Sequence, residues 1–214
     1  MRISFSYAFI FFAFILVTGC GSTNSSTSSV FSNLATQGSP STSEGTEVAA
    51  ESEKNNVATY LSTAVIALHE VNGFEAGEEF PPESKAFLAK HAYLFPATGD
   101  KVKEAQQLVD QNVQPKHINK NISKYHAAMI QDRGTVLSIE EEEIPEVGTI
   151  SVLHVVNDEE DSYQIVYLGG LDVYEDDTVE FVGVPTLLSG FDNVSGGYTN
   201  SIIIVGSYVG KSAN

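Results

Sequence analysis

Residues 148–169 read GTISVLHVVNDEEDSYQIVYLG and decide the fold of the chain. Apolar and polar side chains alternate on both sides of the polar run 157–161, which is the pattern of two β-strands joined by a hairpin turn. The same alternation recurs at 129–144, 178–184 and 199–209. Five short strands separated by turn signals predict a small closed barrel, because closure removes exposed strand edges. Gly134 lies where the long first strand would have to bend.

The residues before these strands repeat with the period of a helix instead. Apolar side chains between 57 and 71 recur at steps of three and four residues, which predicts a helix over roughly 50–71. Pro82 suits the first turn of a second helix that ends before Pro96. Asp100 suits the N-cap of a third helix that continues to about Val113 and buries Leu108. We therefore predict an α+β chain with a helical subdomain over 48–127, followed by the barrel.

Two short motifs near the barrel resemble those of a known group of secreted modules. Residues 120–125, KNISKY, together with GTV at 134–136, are similar to a KNP-x-KY…G-x-V opening, with Ile122 in place of the proline. Residues 177–183, DTVEFVG, are similar to a GD-x-V-x-V-x-G fourth strand, with Asp176 in place of the first glycine. These modules are tRNA-anticodon-like OB folds found in bacterial lipoproteins. The resemblance implies a five-stranded OB-like β-barrel over 128–210, and an SH3-like barrel is the alternative.

The N-terminus has the composition of a secretory signal. Arg2 is the only charged residue before Cys20, and the apolar run 3–18 is shorter than the roughly 20 residues that span a bilayer. The residues VTGC at 17–20 resemble the lipobox of bacterial lipoproteins. That resemblance implies that residues 1–19 are removed and that Cys20 carries the lipid. Gly21 follows the cysteine where Asp would favour retention in the inner membrane, which implies the periplasmic face of the outer membrane. An ordinary secretory signal with a chance cysteine is the alternative.

The next segment is dominated by Ser, Thr, Gly and Asn. Residues 20–47 contain too few apolar side chains to form a core, so we predict a flexible tether between the lipid and the folded part. Cys20 is the only cysteine of the chain. The mature protein is therefore expected to have no disulfide and no catalytic thiol.

The charge is strongly negative and unevenly distributed. The net charge is −17, and fifteen acidic residues accompany Lys211 alone from residue 135 onward. Such a surface repels phosphates, so we expect no nucleic acid partner. Eight bases lie between 84 and 133. They suggest that the helical segment docks electrostatically against the acidic barrel, either within one molecule or between molecules.

Two segments are candidate binding sites. Residues 189–200, SGFDNVSGGYTN, are interpreted as a long loop at the barrel rim, where OB folds often bind ligands; its candidate residues are Phe191, Asp192, Asn193, Ser195, Tyr198 and Asn200. A connection that needs glycine for its backbone angles is the alternative. The turn residues Asp158, Glu159 and Asp161 are a weaker candidate site for a hard cation such as calcium, with a solvated turn as the alternative.

The histidines and the barrel aromatics are interpreted as structural. His69 and His91 fall within predicted helices, where a lone histidine near an apolar face is usually a satisfied structural residue. His117 and His126 lack tight metal-ligand spacing, which leaves a zinc site with a carboxylate as a weak alternative. Aromatic residues in short strands are more often core than a ligand platform, which we expect of Tyr163, Tyr167, Tyr174, Phe181, Phe191, Tyr198 and Tyr208.

No catalytic motif stands out. The chain lacks a nucleophile elbow, a phosphate-binding loop, a dinucleotide fingerprint and an HExxH motif, so we predict no catalytic residue, no metal and no cofactor. The leading hypothesis is a non-enzymatic binding or adaptor module of the cell envelope, held at the membrane by its lipid anchor, with an envelope protein as partner. A small-ligand or divalent-cation binding protein is one alternative. A hydrolase with an unrecognised carboxylate pair is another.

Overall fold

Helices precede strands in the computed structural model, which describes residues 44–71, 79–144, 147–192 and 196–212. The helices are α1 (Glu44–Val71), α2 (Pro82–Lys90), α3 (Lys101–Gln107) and α4 (Pro115–Lys120), with 3₁₀ turns at Ala92–Leu94 and Ile122–Tyr125. The strands are β1 (Ile130–Ile144), β2 (Gly148–Val156), β3 (Ser162–Leu168), β4 (Thr178–Asp192) and β5 (Tyr198–Lys211). The predicted α+β class is confirmed.

The signal peptide, Cys20 and most of the predicted tether lie outside the described residues. α1 begins at Glu44, so residues 44–47 are helical rather than part of the tether. In the described part of the chain, no helix is both long enough and apolar enough to cross a membrane.

The five strands pair in a closed cycle, β1–β2–β3–β5–β4 and back to β1. Neighbouring strands are antiparallel except β3 and β5, which run parallel. β1 closes the cycle because its first part, Ile130–Thr135, pairs with β4 and the rest pairs with β2. Gly134 lies at this change of partner, and a Cβ there would lie 2.5 Å from the Val156 carbonyl oxygen. This close approach of two strands explains why a glycine is needed at 134, whereas the irregularity of β1 lies further on, between Val136 and Ser138.

Gly134→Ala is expected to lower the free energy of unfolding by about 1–3 kcal/mol. The added methyl would meet backbone of β2, which cannot withdraw without breaking the ladder between β1 and β2. Gly170→Ala is the matched control, because a Cβ at Gly170 meets nothing closer than the Glu141 carboxylate at 3.7 Å. Urea unfolding measures both variants. Equal stability of the two would contradict the close approach at Gly134.

The apolar core lies on both sides of the barrel wall. Along β5, Ile202 and Ile204 point into the barrel, whereas Ile203 and Val205 pack against the helices. A strand that is buried on both faces is expected to be continuously apolar, as this one is. Leu61 of α1 belongs to the same cluster as Ile203. All described residues belong to one compact unit, so the helices and the barrel share a core.

The predicted electrostatic docking of the helices on the barrel is wrong within one molecule, and docking between molecules stays a prediction. The contact is apolar, and the described residues contain no salt bridge between a helix lysine and a strand carboxylate. Lysines on α2, α3 and α4 are exposed, because each helix turns its apolar side to the core.

Two predicted helices end early. α2 ends at Lys90 and a separate 3₁₀ turn follows before Pro96. α3 ends at Gln107 rather than near Val113, and Leu108 is largely exposed. The cause is tertiary: Val109 forms a β-bridge with Met129, and the Asp110 amide donates to the Met129 carbonyl oxygen at 2.9 Å. The backbone just after α3 therefore pairs with Met129, the residue before β1, and does not continue the helix.

Candidate functional site

The predicted long loop at 189–200 is mostly a β-hairpin. β4 continues past Pro185 to Asp192, and β5 begins at Tyr198, which pairs with Asp192. The register shifts between Pro185 and Leu187, so the proline lies at a bulge, where a missing ladder donor is tolerated. The prediction ended this strand at 184, just before Pro185, and therefore took part of the strand for a loop.

The structure therefore describes only some of the predicted ligand residues of this segment. Asn193 and Ser195 lie outside the described residues, as do the side chains of Phe191 and Asp192. Asn200 is exposed on β5, and Tyr198 is 54 % exposed. The Tyr198 ring covers Gly190 on the facing strand, where it occupies the space of a missing side chain. Tyr198 thus has a packing role at the hairpin.

The acidic turn after β2 is organised by Asn157 rather than by a cation. Its Oδ1 accepts hydrogen bonds from the amides of Glu159 at 3.0 Å and Asp161 at 2.8 Å, and its Nδ2 donates to Asp132 at 3.0 Å. Asp158, Glu159 and Asp161 were the candidate cation ligands. Within the described ranges, no group of three or more Asp, Glu, His or Cys side chains is placed to hold a metal ion.

The aromatic prediction holds for the barrel interior. Tyr163, Tyr167 and Phe181 are buried, whereas Tyr174 and Tyr198 are exposed. The buried Tyr163 hydroxyl donates to Asp132, and burial, reinforced by that carboxylate, raises the pKa of Tyr163 far above its usual value. A cleft of about 400 Å³ lies beside Asp132, but its side chains bond one another: Gln131 donates to Glu180. The polar side chains at this end of the barrel therefore form hydrogen bonds with one another.

Most of the histidines serve the fold. His69 is buried, and its Nε2 lies 3.1 Å from the Leu188 carbonyl oxygen, which confirms its structural interpretation. His117 accepts a hydrogen bond from the Gln114 amide at 3.2 Å and so caps α4. His154 lies 2.9 Å from the Ser162 hydroxyl. The prediction of a satisfied residue is wrong for His91, whose Nδ1 is buried without a hydrogen-bond partner among the described residues. His126 differs from the other histidines because it lines a second cleft.

That cleft has a volume of about 450 Å³ and lies between the start of α2, the 3₁₀ turn Ile122–Tyr125 and β4. We call it the α2–β4 cleft; its lining residues are Glu79, Pro81, Pro82, Glu83, Ile122, Ser123, His126, Thr186, Leu187 and Leu188. Pro82 begins α2, as the sequence predicts. Glu79 precedes it, Glu83 follows it, and both line the cleft. The 3₁₀ turn Ile122–Tyr125 forms the opposite wall. Three distant segments of the chain therefore meet there.

His126 carries an unsatisfied polar atom in this cleft. Its side chain is 11 % exposed, and Nδ1 lies 4.0 Å from a Glu83 carboxylate oxygen. Burial lowers the pKa of His126, while Glu83 and a hydrogen bond to the Thr186 backbone oppose that shift. The ring is therefore neutral at pH 7. Its Nε2 is buried without a hydrogen-bond partner among the described residues, which ordinarily costs about 1–3 kcal/mol.

β4 leaves β1 at the same place. Beyond Gly183, β4 no longer pairs with β1, and it pairs with β5 alone as far as Asp192. The other side of this stretch is covered rather than open, because Thr186 and Leu187 are buried and the Leu188 carbonyl oxygen lies 3.1 Å from His69 Nε2. Thr186, Leu187 and Leu188 form the β4 wall of the cleft.

Sequence reasoning missed the cleft. Pro82 was interpreted only as a helix start, and His126 only as a weak zinc ligand. The local signal was a pair of prolines flanked by glutamates, EFPPE at 79–83. Its partners, His126 and Thr186, lie far away along the chain and carry no motif.

Burial lowers the pKa of three histidines, His91, His126 and His154, below the ordinary value of 6.5. The unfolded chain then binds protons near pH 6.5 that the folded chain does not, so stability is present above that pH and is lost as the pH falls below it. We expect the urea midpoint to fall from about pH 7 to about pH 5.5, where most carboxylates are still ionised. His154→Gln is expected to make the fall smaller. A midpoint that rises or stays constant over this range would refute the expectation.

Comparison with known proteins does not identify a family for the chain. No protein-family model matches it, and no curated protein is significantly similar to it.

Proposed function

We propose that the chain is a lipid-anchored, non-enzymatic binding module of the bacterial cell envelope, which holds its partner in the α2–β4 cleft. The secretory signal and the lipobox-like VTGC at 17–20 support the anchor, and Gly21 supports the periplasmic face of the outer membrane. The predicted tether would let the folded part reach a partner at a distance from the lipid. The acidic surface argues against nucleic acid as that partner.

We interpret the barrel as OB-like. The chain passes from β3 to β4 and then returns with β5 beside β3, which is a Greek-key connection rather than a simple meander. The OB fold is a five-stranded Greek-key barrel, so this order favours it over the SH3-like alternative. The motif positions agree with the interpretation, because Gly134 lies where β1 changes partner and DTVEFVG opens β4.

The single observation that carries the binding role is the unsatisfied α2–β4 cleft. It combines a buried His126 Nε2, which has no hydrogen-bond partner among the described residues, with the exposed carboxylates of Glu79 and Glu83. The two hydroxyl groups of the cleft donate to acceptors other than His126. Ser123 donates to Asn121 at 2.7 Å, and Thr186 donates to the Ile203 carbonyl oxygen at 3.0 Å. Neither hydroxyl is paired with His126, so the arrangement favours binding over nucleophilic catalysis.

A small-ligand protein is the second candidate. The volume of the α2–β4 cleft, about 450 Å³, falls within the range of small-molecule sites. The cleft is walled by both apolar and polar side chains, as such sites usually are.

Photo-crosslinking in the native envelope tests the binding role. A benzoylphenylalanine at Ser123 lies on the cleft wall, and the same group at Asn119 is the matched control, because Asn119 is exposed on α4 and does not line the cleft. We expect Ser123 to capture a reproducible envelope component that Asn119 does not capture. Identical products from both positions, or none from Ser123, would overturn the proposed function.

A further inference from the structure

Resting on the proposed function, we infer that the α2–β4 cleft receives a lysine or arginine side chain of its protein partner, whose charged head meets Glu79 and Glu83. Three features of the cleft support this: its negative charge, a hydrogen-bond acceptor that has no partner, and its apolar wall. Each feature matches a different part of a long basic side chain.

The charge of the cleft selects for a cation. Glu79 and Glu83 are exposed at its rim, and none of its lining residues is a lysine or an arginine. Lys85 and Lys124, which follow lining residues closely along the chain, are exposed and do not line the cleft. The ring of His126 is neutral at pH 7, so it adds no positive charge. The lining is therefore net negative, which favours a cationic partner group.

The geometry of the charged lining favours an organic cation over a metal ion. Glu79, Glu83 and His126 line the same cleft, yet in the described part of the chain no three such side chains are placed to hold a metal. A metal ion needs several ligand atoms around one point. An ammonium or guanidinium group carries several separate donors, so it can bond acceptors that lie apart from one another.

His126 gives the cleft an acceptor without a partner. Its neutral ring donates one hydrogen bond, to the Thr186 backbone, so Nε2 is left as an acceptor and has no partner among the described residues. Glu83 lies beside the same ring, with a carboxylate oxygen 4.0 Å from Nδ1. Lysine and arginine head groups have donors only. One such group seated beside the ring would bond both Glu83 and Nε2, and would relieve the cost of the unmade hydrogen bond.

The cleft wall suits the stem of a long basic side chain. Pro81, Ile122 and Leu187 form the apolar part of the lining, against which the methylene groups of lysine or arginine can pack. A small inorganic cation has no such stem and would leave this surface uncovered. The lining therefore selects for a charged head and an apolar stem together.

NMR titration of the full-length protein in neutral detergent with acetyl-lysine-methylamide tests the inference. We expect the ring nitrogens of His126 to shift and saturate, with Nε2 shifting as it gains a donor. Acetyl-norleucine-methylamide has a similar stem without the charge, so its affinity should be about tenfold lower or weaker still. Equal affinity of the two probes, or no saturable shift with the lysine probe, would overturn the inference.

The double variant Glu79→Gln, Glu83→Gln keeps the size of both side chains and removes both charges. We expect it to bind the lysine probe about as weakly as the wild type binds the norleucine probe. Added salt should weaken binding of the lysine probe to the wild type, because the rim charges are exposed. Glu104→Gln is the matched control, since Glu104 is exposed on α3 and does not line the cleft. Undiminished binding by the double variant would rule out the glutamates as the site of the charged head.

The source of the cationic group is read from the product crosslinked at Ser123. Digestion and mass spectrometry should yield a peptide of the partner whose attachment site lies beside a lysine or an arginine. A low-mass amine in place of a peptide, or an attachment site without a basic residue beside it, would overturn the side chain of a protein partner as the ligand.

Two outcomes separate this inference from the proposed function. If the lysine probe fails while Ser123 still captures an envelope component that Asn119 does not, the cleft remains a binding site for a group of different chemistry. If Ser123 captures nothing specific, the proposed function fails as well.

Discussion

Cys20→Ala is expected to abolish acyl labelling of the protein completely and to leave either an uncleaved precursor or a soluble envelope product. An alanine side chain has no sulfur to form the thioether that carries the diacylglyceryl group. Each acyl methylene buried in the bilayer contributes about 0.8 kcal/mol, so two or more chains anchor the protein stably, and their loss removes that attachment. Metabolic labelling with a fatty acid, followed by fractionation and immunoblotting, measures both effects.

The matched control for Cys20→Ala is Ser22→Ala, two residues further along the tether. It changes a side chain that the lipid chemistry does not use, so labelling and membrane fractionation should be those of the wild type. Unchanged labelling of Cys20→Ala would refute the lipid anchor. The signal would then be an ordinary secretory signal with a chance cysteine.

Phe181→Ala is expected to lower the free energy of unfolding by about 3–5 kcal/mol. Phe181 is fully buried inside the barrel, and its ring meets Tyr163 edge to face, with centroids 5.0 Å apart. The surrounding strands form a closed ladder, so they cannot collapse into the cavity that the substitution leaves. The loss of stability therefore has three causes: the ring is no longer buried, its contact with Tyr163 is gone, and a cavity remains.

Leu137→Ala is the control for Phe181→Ala. Leu137 is also a large apolar residue on a strand, but it is 50 % exposed. Its truncation should cost about 0.5 kcal/mol or less. Urea unfolding compares the two, and a loss at Phe181 as small as that at Leu137 would mean that the barrel interior is not packed as described.

The strands were predictable because their signals are local. The polar run 157–161 and the glycines after β3 mark the turns, and alternation marks the strands between them. Gly134 was predictable for the same reason, since a glycine within a long strand pattern indicates a bend or a close approach. The continuous apolar run at 202–205 also indicates burial on both faces, which the helices and the barrel interior provide.

The features that sequence reasoning missed depend on distant contacts. α3 stops early because Val109 meets Met129, and β4 continues because Pro185 occupies a bulge. Charge totals along the chain predicted electrostatic docking, but totals do not tell which face of a helix is buried. The α2–β4 cleft joins residues from three segments, of which only Pro82 had a recognised local role.

The central claim is that the α2–β4 cleft is the binding surface. Amide and histidine-ring NMR shifts of the full-length protein, titrated with the envelope component that Ser123 captures, test it most directly. We predict that the amide of Ser123 and the ring of His126, which both line the cleft, shift together and saturate, while the turn at 157–161 stays unchanged. Saturable shifts confined to that acidic turn, or no saturable shift around the cleft, would contradict the claim.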